Sequence, residues 1–126
     1  LGEKSLIATT LQNRGYLLAL QGEPESGAPL ALEGLALFRE LDDKMFIAIS
    51  LHSLGYIAWL QGNTPQAAEL YLEGLSIARD IGNKTRIGWL LIGLAGVAVT
   101  EGRYHRGAPP GSSADGIRCR HAHEYR

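Results

Sequence analysis

The sequence is short of cysteine, methionine and net charge, and each shortage excludes something. Its one cysteine, Cys119, has no partner for an internal disulfide, which suits a reducing compartment and leads us to expect a cytoplasmic location. With 12 basic and 13 acidic residues the net charge is −1, so no overall field draws the chain to nucleic acid or anionic lipid. Apolar runs are short, Trp89-Leu90-Leu91-Ile92 being typical, against the roughly 20 residues that span a bilayer. No segment pairs a charged start with the small-residue cleavage site of a signal peptide. Met45 is the one methionine and the sequence starts at Leu1, so a segment of a longer protein, or a processed or trimmed product, is expected. At 126 residues, 45% hydrophobic and 20% charged, the composition is that of one globular domain at most.

Catalytic signatures are also missing. There is no P-loop and no dinucleotide-binding glycine fingerprint. Cys119, His121 and His123, with His105 as a distant fourth, match no zinc spacing. Nothing rigid would hold a Cys119–histidine pair as a nucleophile. Asn83-Lys84-Thr85 is a glycosylation triplet of a kind common by chance, with no export signal beside it. Glu33 and Glu73 read as solvated helix positions, since a catalytic pair needs a common cleft. Arg103, His105 and Arg106 are too few for a nucleic-acid footprint. The expectation is therefore no catalytic residue, no cofactor and no metal. The competing reading is a fragment of an enzyme or metal-binding protein that uses the Cys/His tail.

What the sequence does hold is a repeat. Residues 5–44 set against 45–84 give 16 identities in 40, among them Gly15-Tyr16 with Gly55-Tyr56 and Leu20-Gln21-Gly22 with Leu60-Gln61-Gly62. A third copy continues through Ile87, Leu91, Leu94, Ala98 and Gly102. Such a period marks a stacked array in which each unit buries its apolar face on the next. Units are expected near 5–44, 45–84 and 85–106, the last incomplete.

Inside each unit the period is helical. Ile47, Leu51, Leu54 and Ala58 recur at steps of three and four, as do Tyr71, Leu75, Ala78 and Ile81. Asp43 and Asn83 stand as N-caps; Gly22, Gly62 and Gly102 stand as helix ends, because glycine enters the left-handed conformation freely. Pro65 fits a first turn. Helices are predicted near 4–21, 28–41, 44–61, 65–81 and 85–101, with Pro29 delaying the second and Ser26 as its cap. Gly15 and Gly55 fall mid-helix, where glycine costs about 1 kcal/mol relative to alanine. Their recurrence implies a close helix contact, with Ala67-Ala68 facing it and Tyr71 beside it. After Arg106 the sequence Gly107-Ala108-Pro109-Pro110-Gly111 stops any helix, leaving 107–126 as an irregular tail, disordered or loosely docked. A diverged or frame-shifted coding segment is the alternative.

Leu54-Gly55, Gly62, Ala67 and Tyr71 fall in the order and spacing of the tetratricopeptide repeat, which the chain resembles over roughly residues 5–106. Arg14 departs from the pattern where the second unit has Leu54, and the period exceeds the family's usual length of about 34 residues. Leu51-His52-Ser53-Leu54-Gly55-Tyr56 and Gly93-Leu94-Ala95-Gly96-Val97-Ala98 resemble, more narrowly, the helical regions of large bacterial LuxR-type and MalT-like transcription regulators. The resemblance implies an all-α, right-handed solenoid of antiparallel helix pairs, about two and a half repeats long. It also implies a protein-interaction or signal-receiving scaffold, taking a peptide, a partner domain or a small inducer on a concave face lined by the first helices. No direct nucleic-acid contact and no membrane are expected, and self-association through the uncapped last helix is open.

His52, Tyr56 and Trp59 share one helix face by their i, i+4, i+7 spacing. Gln12 and Tyr16 are counterparts of His52 and Tyr56 one unit earlier, and Trp89 belongs to the matching helix of the third unit. These six are the candidate binding residues; for each, packing between units is the alternative role.

Overall fold

The computed structural model describes residues 2–105, with side chains as far as Gly102. The tail expectations, including the Cys119, His121 and His123 cluster, fall outside these residues. Five helices follow one another: α1 (Gly2–Leu20), α2 (Pro24–Glu40), α3 (Lys44–Leu60), α4 (Thr64–Asp80) and α5 (Lys84–His105). Among the described residues there is no strand, and the fold is an all-α helical repeat.

One turn design sets the cadence. Helices α2 to α5 begin at residues 24, 44, 64 and 84, because every connection is three residues long and closes the same way. The second turn residue has positive φ in each case: Gly22 (91°), Asp42 (54°), Gly62 (82°) and Gly82 (68°). The next residue's N–H reaches back to a carbonyl five residues earlier, from Glu23 to Leu18, Asp43 to Phe38, Asn63 to Ala58 and Asn83 to Ala78. The turn residue itself bonds three back, from Gly22 to Ala19 and likewise in the other three. This is the Schellman arrangement, which satisfies carbonyls a helix end would leave orphaned. Asp43, Asn63 and Asn83 then accept from the N–H groups of Phe46, Gln66 and Arg86, so one residue finishes a turn and caps the next helix.

Two expected boundaries are corrected. Helix α2 starts at Pro24, not late with Ser26 as cap, and Pro29 lies inside it. Pro24 supplies the preset φ of a first position. Pro29 sits one turn further on, where its missing N–H orphans only the carbonyl of exposed Glu25. Gly102 does not end α5, which continues to His105. Glycine permits a left-handed exit but does not force one.

The helix pairs are antiparallel. In the first, Gly15 lies against Gly27 and Ala31 while Gly34 lies against Ala8 and Gln12. A Cβ on Gly15 would stand 2.6 Å from the Gly27 carbonyl oxygen and 2.8 Å from the Ala31 nitrogen, so α1 and α2 meet backbone to backbone. In the second pair Gly55 meets a ring: its Cβ would stand 2.6–3.1 Å from atoms of Tyr71. Ala67 is fully buried, but Tyr71, not Ala67-Ala68, is what the missing Gly55 side chain makes room for. Two core clusters result, one of Ala8, Leu35, Phe38, Leu51 and Ile57 with their neighbours, the other of Ala48, Ala67, Tyr71, Leu75 and Leu90 with theirs. Helix α3 feeds both and is buried at nine positions.

Leu90, on the last helix with no second helix of its own unit among the described residues to cover it, is fully buried because Gly74 on α4 admits its Cδ2, at 3.0 Å from where a Cβ would be. Elsewhere on α5 cover is uneven: Leu94 is partly buried against the second cluster, while Trp89 is 51% exposed, Leu91 46% and Ile92 63%.

Candidate functional site

Successive first helices lie side by side and parallel. Tyr16 on α1 meets Tyr56 on α3 at 5.8 Å between ring centroids, and His52 on α3 meets Trp89 on α5 at 6.4 Å, edge-on. Across this surface runs an open groove of about 270 Å³, lined by Tyr16, His52, Tyr56, Trp59, Tyr71, Trp89, Ile92, Gly93 and Gly96. Five of the six residues singled out from sequence are therefore brought together.

The repeat explains why a hollow forms here. Tyr16 and Tyr56 are equivalent positions, and the next member of that row is Gly96. The tyrosine ladder loses its third rung, and a Cβ on Gly96 would meet nothing within 4 Å. Gly93 serves a different purpose. Its missing side chain admits the Tyr71 ring, whose nearest atoms are 2.6–2.9 Å from where a Cβ would stand. Tyr71 thus crosses from α4 between α3 and α5 and forms the floor. Its counterpart one unit earlier is Ala31, which is why the first pair closes and the second stays propped open.

Gln12 does not join the groove. It is 5% exposed, and its Nε2 donates to Ser53 Oγ at 2.6 Å, a buried polar pair linking α1 to α3. The position equivalent to Ser53 one unit later is Gly93. His52, the counterpart of Gln12, has no hydroxyl to bind there; it packs on Tyr71 at 5.7 Å and Trp89 instead. Trp59 is both clasp and wall: its Nε1–H donates to Thr100 Oγ1 at 3.1 Å, and that hydroxyl donates to the Gly96 carbonyl. Its ring stacks with Tyr56 at 6.0 Å.

Electrically the groove is nearly neutral, and no lining residue is acidic. Burial, helped by the Arg86 charge, lowers the His52 pKa below its usual 6.5, keeping the imidazole neutral at neutral pH. Burial also raises Tyr71 to about 12, with Tyr56 and Tyr16 adding to the effect. Among the described residues no group of three His, Cys, Asp or Glu side chains could hold a metal ion. Sequence reasoning missed Ile92, Gly93 and Gly96, and placed Tyr71 beside Gly55 without seeing it as the floor. Gly96 was legible as the break in the tyrosine row.

Paired helices at a fixed cadence, with a groove across the first helix of each pair, define a helical-repeat scaffold. The Tetratricopeptide repeat family model matches residues 6–80, more than half of the chain, and the chain belongs to that family. No curated protein and no solved structure matches it. The family is one of non-enzymatic scaffolds that mediate protein–protein interaction.

Proposed function

We propose that the chain is a peptide-binding module whose binding surface is the aromatic groove across α1, α3 and α5. The observation that carries this is the break in the tyrosine ladder at Gly96, which leaves Trp89, Ile92 and Tyr56 facing a hollow with no protein atom in it. Rigid amphipathic rings give large contact area at low entropic cost, and about 270 Å³ accommodates one or two side chains of an extended segment. The role is binding, not catalysis: the lining supplies one neutral imidazole and no carboxylate partner for acid–base work. A place inside a larger bacterial transcription regulator, in the cytoplasm, is part of the proposal and is supported by the sequence resemblance of the 51–56 and 93–98 stretches. A small inducer in the same groove is the second reading; the predominantly aromatic and apolar lining with few polar groups favours it.

A displayed random-peptide library selected on the chain tests the first reading. Enriched peptides are expected to lose binding to Tyr56→Ala and Trp89→Ala while Leu32→Ala, on α2, binds them normally. Enriched peptides that bind all three variants alike would move the site elsewhere.

A further inference from the structure

The face that α3 turns towards α4 lies open on α5. On α3 that face holds Ala48, Leu51, Gly55 and Ala58, all buried, with Gly55 against the Tyr71 ring and Leu51 against Gly74. One period later the same positions are Gly88, Leu91, Ala95 and Ala98. Leu91 is 46% exposed, Ala95 and Ala98 are exposed, and a Cβ on Gly88 would meet nothing within 4 Å.

The sequence after α5 does not carry the side chains of a covering helix. The inward positions of α2 are Gly27, Ala31, Leu35 and Phe38, and those of α4 are Ala67, Tyr71, Leu75 and Ala78, all buried. Their equivalents one unit on are Gly107, Gly111, Asp115 and Arg118, two charges and no apolar side chain. The outer face of α1 in another copy is no better suited, because exposed Arg14 stands there where α3 buries Leu54. A charge at that place resists apolar stacking. Helix α5, by contrast, has no charged residue from Ile87 to Thr100, with Lys84 and Arg86 before that stretch and Glu101 after it.

We propose that this face is a homodimer interface, in which the α5 helices of two copies pack antiparallel about a two-fold axis level with Gly93. The helices of each pair in the fold are antiparallel, so α5 of the second copy takes the place that α4 takes on α3. In this register Leu91 opposes Ala95 of the second copy and Ala95 opposes its Leu91, large against small on both sides of the axis. Gly88 opposes Ala98 in the same way. Exposed Lys84, in the first turn, comes beside exposed Glu101 in the last turns of the second copy, and the symmetry repeats the pair at the other end. Among the described residues neither charge has an ion-pair partner within the chain. A parallel pair would set Lys84 against Lys84 and Leu91 against Leu91. Apolar contact thus holds the two copies together while the end charges fix their direction. The seam shares no residue with the aromatic groove, and the dimer stands apart from the peptide-binding reading.

Sedimentation velocity of the full chain over a concentration series tests the interface. The chain is expected to run as a dimer that dilution converts to monomer. Ala95→Arg, at an exposed position, should leave far-ultraviolet dichroism unchanged and weaken the dimer at least about tenfold. Lys84→Glu and Glu101→Lys should each weaken it by about tenfold, because symmetry counts every change twice. The double reversal, which exchanges the two charges, should recover the dimer. A chain that stays monomeric at about 1 mM, or a dimer indifferent to Ala95→Arg, overturns the interface. Assemblies that grow beyond dimers do the same, since they require a heterologous contact. Single reversals without effect, or a double reversal that fails to recover the dimer, overturn the antiparallel register.

Discussion

Tyr71 touches both Gly55 and Gly93, and substitutions at these glycines are where single atoms matter most. Gly55→Leu pushes a branched side chain into a ring held between three helices, and overpacking of this kind costs about 1–3 kcal/mol. Gln66→Leu, at an exposed turn whose cap comes from Asn63, should stay within about 0.5 kcal/mol. Thermal melting of the two variants is expected to differ by several degrees, and equal midpoints would refute the packing described for Tyr71. Two titrations also belong at this scale. The folded chain holds the His52 proton more weakly than the unfolded chain does, so stability should be full above pH 6.5 and fall as pH drops below it. The Tyr71 proton is held more strongly, so stability should fall as pH rises from about 10 towards 12. Denaturation midpoints measured across pH should show both limbs, the acid one flattened by His52→Gln and the alkaline one by Tyr71→Phe. Ring positions on the first helices were legible because helical spacing and the repeat both pointed to them. Gln12 misled because equivalence was counted along the chain, whereas its partner Ser53 lies on the neighbouring helix.

The helices and their turns were legible wherever glycine or an Asx residue carried the signal. Gly22 and Gly62 take the left-handed conformation expected of them, and Asp43 and Asn83 cap as predicted. Asp42 escaped notice because a charged residue occupies the position that glycine fills in the other three turns. Its φ of 54° crowds a Cβ that glycine does not have, so Asp42→Gly should stabilise the chain by about 1 kcal/mol. The same substitution removes an ion pair with Lys44, which is exposed and worth little. A lower denaturation midpoint for this variant would show that the carboxylate does more than occupy the turn. The start of α2 was hidden for the opposite reason: Pro29 reads as a breaker, yet a second-turn proline removes few bonds. For the groove, the decisive change is Gly96→Tyr. It restores the third rung of the ladder in open space, so the fold should hold while binding of groove-selected peptides falls at least about tenfold, or roughly 1.4 kcal/mol. Unchanged binding would mean that the hollow is not the site.

At the scale of the molecule, burial is greatest at the centre and least at both ends. Helix α3 is covered on two sides, whereas α1 exposes Leu6 at 66% and Leu17 at 52%, and α5 exposes Ile92 at 63% and Val99 at 64%. In the middle unit the positions equivalent to Leu17 and Leu91 are Ile57 and Leu51, which are 1% and 0% exposed. Each end therefore shows the apolar face that a neighbouring unit covers in the middle of the array. Hydrogen exchange in a dilution series is expected to show α3 and α4 best protected, with α5 gaining protection as concentration rises. Protection of α5 equal to that of α3 in a dilute monomer would contradict this. The repeat period made that architecture readable from sequence; how far the second pair is propped apart was not, since it depends on one ring against two bare backbones. There is a practical consequence in where the indole rings fall. Both tryptophans of the chain line the groove, and α1 and α2 contain none. Light emitted by the indoles therefore reports on the groove and the α3–α5 half of the molecule, while the first helix pair can open without changing its colour. Emission and far-ultraviolet dichroism followed through the same unfolding experiment should part company if the two halves melt separately, and the gap between the curves measures how tightly the Gln12–Ser53 bond and the α2–α3 packing couple them.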